Sequence, residues 1–465
     1  MGLEELMEKK ESGWLRVGDE ELGQIEAIGK ELLDFFTEVK TEREAVERFS
    51  AAAREAGFRD VASATGAEPG DRLMVTFKDK TMALVVVGRR PVREGLRIVA
   101  AHIDSPRIDL KPSPLVEDKD SSTAILKTQY YGGIKKYQWV TMPLAIRGIV
   151  VVDGKPVKIR IGDRPGDPVL TITDLLPHLA KKVQGERKLF EGIEAEELNV
   201  LVGNRPVKED VKERVKAMVL KVLNEEYGMR EAHLHRADLE IVPAWGAYEV
   251  GLDRSMIGGY GLDDRLNAYL AFRAVLDLEV PEHTSVALFY DREEIGSEGF
   301  AGAQSFFTKK VYFELLRLRG EGPSYPNFLD AALSSKAVSA DVDAAVDPTF
   351  KQVHDLSNAA RLGHGVAILK YTGHGGKYGA SEARAEYMAE VLDVLDRHKV
   401  IYQMSTLGKV DWGGGGTVAK FLARYGMDIV DMGVPVLSMH SPMEIASKLD
   451  CWSAYRAFKV LMEEL

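Results

Sequence analysis

The sequence predicts an α/β protein in which a β-rich lobe is inserted into an α/β lobe. Apolar runs of strand length alternate with helical patterns at both ends of the chain, whereas the middle of the chain has the pattern of hairpins. The length of 465 residues also favours two lobes, because single cores stop growing near about 250–300 residues. We expect a discontinuous α/β domain over residues 1–110 and 246–465, and an inserted β-rich domain over 111–245.

The α/β pattern rests on helical spacing followed by short buried strands. The stretch ELGQIEAIGKELLDFFTEVKTEREAVERFSAAAREAGF predicts two helices. Apolar runs bounded by Gly, Pro or charged residues predict buried strands, because both faces of such a strand must be covered. These runs are MALVVVG, LRIVAAHID, TSVALFYD, KAVSAD, VAILKY, VIYQMS and DIVDMGVPVLSM.

The inserted lobe is predicted from alternating stretches and turn residues. In AIRGIVVVDGKPVKIRIGD the pair Asp153-Gly154 separates two β runs, which is the strongest short-range signal for a hairpin. The stretch EDVKERVKAMVLKVLNEEYG adds one helix.

Composition and charge exclude several classes of function. The 72 acidic residues outnumber the 61 basic ones, for a formal net charge of −11, so neither a nucleic acid nor an anionic membrane is an expected partner. The single cysteine, Cys451, rules out an intrachain disulfide and a thiolate zinc site. The N-terminal stretch is charged rather than apolar, and no apolar run reaches the ~20 residues of a membrane span. We therefore expect a cytoplasmic protein.

Acidic side chains and histidines collect where the predicted strands end. Functional groups of an open α/β sheet gather at the carboxyl ends of its strands. Each residue also has an ordinary structural interpretation, as a hydrogen-bonded histidine or as an acid at a helix N-terminus. Their repetition over several strands of one sheet instead favours a metal site. The residues are His102, Asp104, Glu293, Glu294, Asp341 and His440, with the acidic pair Asp263-Asp264 at the start of a helical pattern.

The types of side chain narrow the choice of metal. Imidazoles combined with carboxylates suit zinc, cobalt or manganese, and five or more candidate ligands fit two ions better than one. The adjacent glutamates Glu293 and Glu294 would point in opposite directions on an extended segment. One glutamate would then bind metal, while its neighbour takes a proton from the attacking water.

Several motifs together resemble one known family, the aspartyl aminopeptidase and aminopeptidase I family of dinuclear zinc exopeptidases. They follow the order of that family from near residue 100 to the C-terminus: AAHIDSPRIDLKP, YYGGIKKYQW, GLDDRLNAY, DREEIGSEGFAGA, SADVDAAVDP and MHSPMEIAS. The resemblance implies a zinc-exopeptidase-like α/β/α catalytic lobe that removes the N-terminal residue from peptides. It also implies two divalent metal ions. Zinc is the expected metal, and cobalt and manganese are the alternatives.

The resemblance assigns the metal ligands by position. His102 and His440 would each bind one zinc ion, and Asp263 would bridge the two ions. Glu294 and Asp341 would complete the two sets of ligands.

The same resemblance assigns the residues that act on protons and orientation. Glu293 would be the general base, and Asp104 would orient the imidazole of His102. A cis peptide bond would follow the bridging Asp263.

Assembly and substrate choice are also implied by the resemblance. The inserted lobe would mediate dimerisation, and six dimers would form a tetrahedral shell of twelve subunits that admits short peptides. Lys377 in TGHGGKYGAS and His178 in LPHLA are the candidate substrate-binding residues. The lysines at 181 and 182 and Asp347 depart from the family pattern, so acidic and neutral N-terminal residues both remain open as substrates.

One motif and two functional alternatives stay open. The glycines of DWGGGGTVAKFLARYG either present N–H groups to an anion or form a tight turn with Thr417 as a helix cap. The alternatives to an aminopeptidase are a dinuclear-metal carboxypeptidase or N-acyl amino acid deacylase, and an inactive self-assembling shell. An intact general base, Glu293, is not needed in a scaffold.

Overall fold

The computed structural model describes residues 6, 7 and 11–465. Residues 1–5 and 8–10, which belong to the charged N-terminal stretch and to the start of the predicted α/β domain, lie outside that description. Among the helices of the described residues, none is both long enough and apolar enough to cross a membrane.

The chain divides into two compact units. The first, called the α/β unit, comprises the described residues up to Asp104 together with Ala247–Met439 and Met443–Leu465. The second, called the inserted unit, comprises Ser105–Gly246 and His440–Pro442.

Both helices and strands occur in each of the two units. The helices of the described residues are α1 (Asp19–Glu38), α2 (Glu42–Glu55), α3 (Pro177–Val183), α4 (Arg214–Tyr227), α5 (Leu262–Leu276), α6 (Phe307–Leu318), α7 (Tyr325–Leu333), α8 (Ala385–Arg397), α9 (Ala419–Leu422) and α10 (Lys448–Glu464). The strands up to the end of the inserted unit are β1 (Arg59–Asp60), β2 (Arg72–Phe77), β3 (Thr81–Val86), β4 (Arg97–His102), β5 (Arg107–Asp118), β6 (Thr123–Tyr131), β7 (Leu144–Val152), β8 (Lys155–Ile161), β9 (Thr171–Ile172), β10 (Val200–Gly203) and β11 (Ala237–Pro243). The remaining strands are β12 (Tyr248–Val250), β13 (Met256–Gly259), β14 (Ser285–Tyr290), β15 (Lys336–Ala340), β16 (Asp343–Ala344), β17 (Val366–Leu369), β18 (Gly373–His374), β19 (Tyr402–Met404), β20 (Gly414–Gly415), β21 (Asp428–Gly433), β22 (Pro435–Leu437) and β23 (Glu444–Ser447).

A nine-stranded mixed sheet forms the centre of the α/β unit, in the order β1-β2-β3-β14-β4-β15-β21-β17-β19. Strands β14, β4, β15 and β21 run parallel to one another, so their carboxyl ends meet at one edge of the sheet. His102 ends β4, and Asp341 directly follows β15. The predicted α/β fold class is therefore confirmed, and these strands bring the predicted polar residues to a common edge.

Two helical layers cover this sheet because its strands are apolar on both faces. In β4, Val99 and Ala101 pack into one core and Ile98 and Ala100 into the other. The first core also receives side chains from α1, α2, α5, α8 and α10, and the second receives side chains from α6, α7 and α9. A strand that is buried on both sides reads as a continuous apolar run, which is how these strands were recognisable in the sequence.

One predicted strand is in fact two. DIVDMGVPVLSM divides into β21, which lies in the nine-stranded sheet, and β22, which lies in a separate five-stranded sheet ordered β12-β13-β23-β22-β16. Pro435 begins β22, where its missing N–H costs no ladder hydrogen bond. The Gly433-Val434-Pro435 step therefore lets the chain leave one sheet and enter the next.

The inserted unit contains a seven-stranded sheet in the order β8-β7-β11-β5-β6-β10-β9, in which neighbouring strands are antiparallel. The predicted hairpin is confirmed: Asp153 and Gly154, with φ of 47° and 81°, connect β7 to β8. Positive φ at both turn positions is the type I′ geometry that Asp-Gly favours. The predicted helix is α4, which ends at Gly228 in the left-handed conformation.

Candidate metal centre

His102 presents one ring nitrogen to a group of carboxylates and anchors the other. Its side chain is buried, and Nδ1 lies 3.0 Å from the carbonyl oxygen of Asp104 and 3.3 Å from its Oδ1. Nε2 lies 3.2 Å from Oδ1 of Asp263 and 3.9 Å from Oδ1 of Asp341. Nε2 is therefore the nitrogen that faces the candidate metal position.

Two overlapping groups of ligand atoms meet at this imidazole. His102, Asp263 and Glu294 form one group, and His102, Asp264 and Asp341 form the other. Within each group the ligand atoms lie within 4.8 Å of one another. One imidazole and four carboxylates from separate parts of the chain are thus concentrated at the carboxyl edge of the sheet.

The start of α5 supplies two of these carboxylates. The peptide bond between Asp263 and Asp264 is cis, as the resemblance implied. The N–H of Asp263 donates to Oε2 of Glu444 at 3.0 Å. Asp264 accepts the N–H of His102 at 3.2 Å and the amide group of Asn267 at 2.7 Å. These contacts fix α5 against β4 and against the five-stranded sheet.

Sequence reasoning did not place three of these groups. Asp264 was recognised only as one of an acidic pair, although its carboxylate faces His102 and Asp341. Asn267 also accepts the N–H of Val434 at 3.1 Å, so it links Asp264 to the end of β21. The signal in the sequence was the Asn three residues after the pair in DDRLN, one helical turn along α5. Glu444, in PMEIAS, carried no such signal.

The adjacent glutamates lie in a turn rather than on an extended segment. Glu293–Ile295 is a 3₁₀-helix, flanked by Arg292 and Gly296 with φ of 69° and 94°. The expectation of opposite-facing side chains on a strand was therefore wrong. The reason is Asp104, whose two carboxylate oxygens accept the N–H groups of Glu293 at 3.1 Å and Glu294 at 3.2 Å. Two N–H donors that face one carboxylate require a turn.

Burial gives the centre its electrostatic character. Burial raises the pKa of Glu293 to about 7, and it raises the pKa values of Asp264 and Asp341 well above their usual range. Burial by itself would lower the pKa of His102, but hydrogen bonds with Asp104 and Asp263 raise it well above its usual range. Carboxylates crowded out of water repel one another, so this edge of the sheet favours a bound cation.

The donor set fits zinc. A buried imidazole nitrogen combined with several carboxylates suits zinc, cobalt or manganese, whereas calcium and magnesium prefer oxygen-only ligands. The single cysteine, Cys451, is buried in α10 and belongs to neither group of ligand atoms.

Three residues that the sequence nominated belong to neither of these groups of ligand atoms. His440 belongs to the inserted unit, where its Nδ1 lies 3.1 Å from the carbonyl oxygen of Gly133, so its role as a ligand stays a prediction. His178 is exposed on α3, also in the inserted unit. Lys377 is exposed in the α/β unit, where its ammonium bonds Glu382 at 2.9 Å.

Comparisons with known proteins give consistent matches over nearly the whole chain. The family model described as "Aminopeptidase I zinc metalloprotease (M18)" matches residues 35–461. A protein of Borrelia garinii subsp. bavariensis, named "Probable M18 family aminopeptidase 1", is 43% identical in an alignment of 464 positions that covers 98% of this chain and 100% of that protein. The crystal structure of an M18-family aminopeptidase from Thermotoga maritima matches with a TM-score of 0.94 at 44% identity, covering 99% of this chain and 100% of that one. The mApe1 dodecamer of S. cerevisiae shares the fold, with a TM-score of 0.75 at 19% identity over 93% of this chain and 95% of that one.

Proposed function

The chain belongs to the M18 family of zinc aminopeptidases, and on that premise we propose that its reaction centre holds two zinc ions. The observation that carries the proposal is that the His102 imidazole and four carboxylates meet at one edge of the sheet. They form two groups, and in each group the ligand atoms lie within 4.8 Å of one another. The proposed ligands are those that the resemblance assigned: His102, Asp263, Glu294, Asp341 and His440.

We propose that Glu293 is the general base. The chemistry that bound zinc supplies is polarisation of the scissile carbonyl and activation of water. Glu293 belongs to neither group of ligand atoms, whereas its neighbour Glu294 belongs to one, which supports a division of labour between them. Glu293 is then available to take a proton from the attacking water and to return it to the leaving amine.

We propose that Asp104 positions both the metal ligand His102 and the adjacent glutamates. Its carboxylate lies beside Nδ1 of His102 and also accepts the N–H groups of Glu293 and Glu294. A shift of Asp104 would therefore move the imidazole and the glutamates together. Residues that orient metal ligands in this way tune metal affinity and activity.

We further propose that the protein assembles through its inserted unit into dimers, and that six dimers form a tetrahedral dodecamer. Helix α3 has no buried residue, and large apolar side chains on and around it are exposed. Contiguous exposed apolar surface marks interaction sites. The mApe1 dodecamer of S. cerevisiae, which shares the fold, supports the subunit number. The exposed side chains are Leu175, Leu176, Leu179, Val183, Leu189 and Phe190.

The preference for particular N-terminal residues depends on the side chains that contact the N-terminal residue of the substrate. Lys377 and His178 remain candidates for contacts with the N-terminal side chain of the substrate. The ammonium of Lys377 is paired with Glu382 and lies 4.1 Å from the ring centroid of Tyr371. This pairing argues against Lys377 as the partner of an acidic N-terminal side chain and leaves acidic and neutral N-terminal residues both open.

The test compares substrates that differ in their amine. The purified protein, supplied with zinc, cobalt or manganese, should hydrolyse aminoacyl p-nitroanilides with a free N-terminus and leave N-acetyl amino acids intact. Hydrolysis of the N-acetyl compounds alone would indicate a deacylase. No hydrolysis of either class with any of the three metals would indicate an inactive shell.

A further inference from the structure

Lys420, on the short helix α9, carries a partly buried positive charge without a counterion. Its Nζ lies 4.7 Å from the ring centroid of Phe421, a weaker attraction than an ion pair. In the part of the chain that the structure describes, no carboxylate lies within ion-pair distance of this ammonium. A partly desolvated charge without a partner is unfavourable in the free protein, and an anionic ligand would relieve that cost.

The segment that carries Lys420 is fixed beside the candidate metal centre. The hydroxyl of Thr417 donates to Oδ1 of Asp431 at 2.6 Å and accepts from the hydroxyl of Ser339 at 3.3 Å. Ser339 lies on β15 two residues before Asp341, one of the proposed ligands. The glycine-rich segment and α9 are therefore anchored at the carboxyl end of the strand that leads into the centre.

The side chain of Lys420 packs against the glycine-rich segment. A Cβ built on Gly416 would lie 2.9 Å from Nζ of Lys420 and would displace it. Glycine at 416 therefore lets the ammonium lie against this segment.

On the basis of the proposed aminopeptidase function, we propose that Lys420 binds a carboxylate of the peptide substrate. Two parts of a substrate offer this group: the acidic side chain of an N-terminal Asp or Glu, and the C-terminal carboxylate of a dipeptide. Lys377 is a poorer candidate for this contact because Glu382 already neutralises it. Lys420 would then set which substrates the centre prefers.

The experiment measures preference ratios in wild-type protein and in Lys420→Gln, both loaded with zinc. One arm compares Glu-p-nitroanilide with Gln-p-nitroanilide, and the other compares the dipeptide Leu-Gly with Leu-Gly-amide. In one of the arms we expect wild type to have the higher kcat/KM for the substrate with the carboxylate than for its uncharged counterpart. Lys420→Gln should reduce the ratio of these two kcat/KM values by about ten- to hundredfold, mainly through KM.

Lys420→Arg should retain part of the ratio. Lys409→Gln, an exposed lysine before the glycines, serves as the matched control and should retain all of it.

Each other outcome rejects the proposal. A wild-type ratio near one in both arms, or ratios unchanged in Lys420→Gln, would show that Lys420 does not recognise a carboxylate. An equal loss of kcat on all four substrates would show that Lys420 acts on the reaction and not on recognition. Lys420→Met, which keeps the aliphatic stem, gives the same comparison if the Gln variant folds poorly. Wild-type protein that cleaves none of the four substrates would reject the aminopeptidase function, and with it the role of Lys420.

Discussion

Asp104 is the residue on which most of the local geometry depends. One buried carboxylate contacts the His102 ring and accepts both N–H groups of the glutamate turn. Because a carboxamide accepts through one oxygen only, Asp104→Asn must lose one of these contacts. We expect metal affinity to fall by about 10–100-fold, with a parallel loss of kcat/KM. Zinc titration followed by activity assays measures both.

The control for this substitution is Asp79→Asn, an exposed Asp in a turn with φ of 55°, where Asn is tolerated. It should bind zinc and turn over substrate as the wild type does. If Asp104→Asn also did so, the proposed positioning role would be wrong.

Glu293 is the residue to which we assign the proton transfer. Glu293→Gln keeps the size of the side chain but removes its ability to accept a proton. We therefore expect kcat to fall by about 10²–10⁴-fold while the zinc content stays unchanged. Steady-state kinetics and elemental analysis of the same preparation check both quantities.

Glu298→Gln is the matched control, because Glu298 is exposed in the same segment and its carboxylate accepts a hydrogen bond from the side chain of Gln304. It should leave kcat unchanged. Near-normal turnover in Glu293→Gln would contradict the division of labour between the two glutamates.

The candidate metal ligands could be predicted from the sequence better than the residues that hold those ligands in place by hydrogen bonds. His102 and Asp341 stood out because they follow apolar strands, and the structure places them at one edge. Glu444 accepts the N–H of Asp263 across 181 positions. Asn267 bonds Asp264 on its own helix and also accepts the N–H of Val434, which is 167 positions away. Contacts of that kind depend on packing, which no local pattern encodes.

At the scale of elements, β21 ends against the segment that carries Asp341. A Cβ on Gly433 would lie 1.9 Å from the carbonyl oxygen of Asp341 and 2.8 Å from the amide nitrogen of Asn267. Gly433→Ala must therefore push β21 away from both residues. We expect a loss of about 1–3 kcal/mol in the free energy of unfolding together with weaker zinc binding. Urea unfolding with and without zinc measures the two effects.

Gly23→Ala is the control, because a Cβ there meets nothing within 4 Å on helix α1. Alanine in a helix should stabilise the protein by about 0.5–1 kcal/mol relative to glycine. A Gly433→Ala variant as stable as the wild type would show that the close approach of β21 is not needed.

The elements themselves were largely predictable, and the exceptions have physical causes. Strands β4, β14 and β15 are continuous apolar runs because both of their faces are covered. The turn at Glu293–Ile295 was missed because it is held by Asp104, a partner 189 residues away. The division between β21 and β22 was missed because an apolar run does not reveal which sheet each half joins.

Assembly of the whole protein depends on surfaces that periodicity in the sequence does not describe. The exposed apolar side chains around α3 support the proposed contacts between subunits. For the proposed dodecamer, light scattering should give the mass of twelve subunits. Leu179→Glu combined with Val183→Glu should reduce that mass, because charges do not pack into an apolar interface. A wild-type monomer would contradict the proposed shell.

We propose that distant parts of the chain hold a pair of zinc ions, whose positions can be measured by diffraction at the zinc absorption edge from crystals grown with zinc. We expect two anomalous peaks about 3.5–4 Å apart, with His102 and His440 on different ions and the Asp263 carboxylate between them. A single peak, or no peak within bonding distance of His102 Nε2, would contradict it.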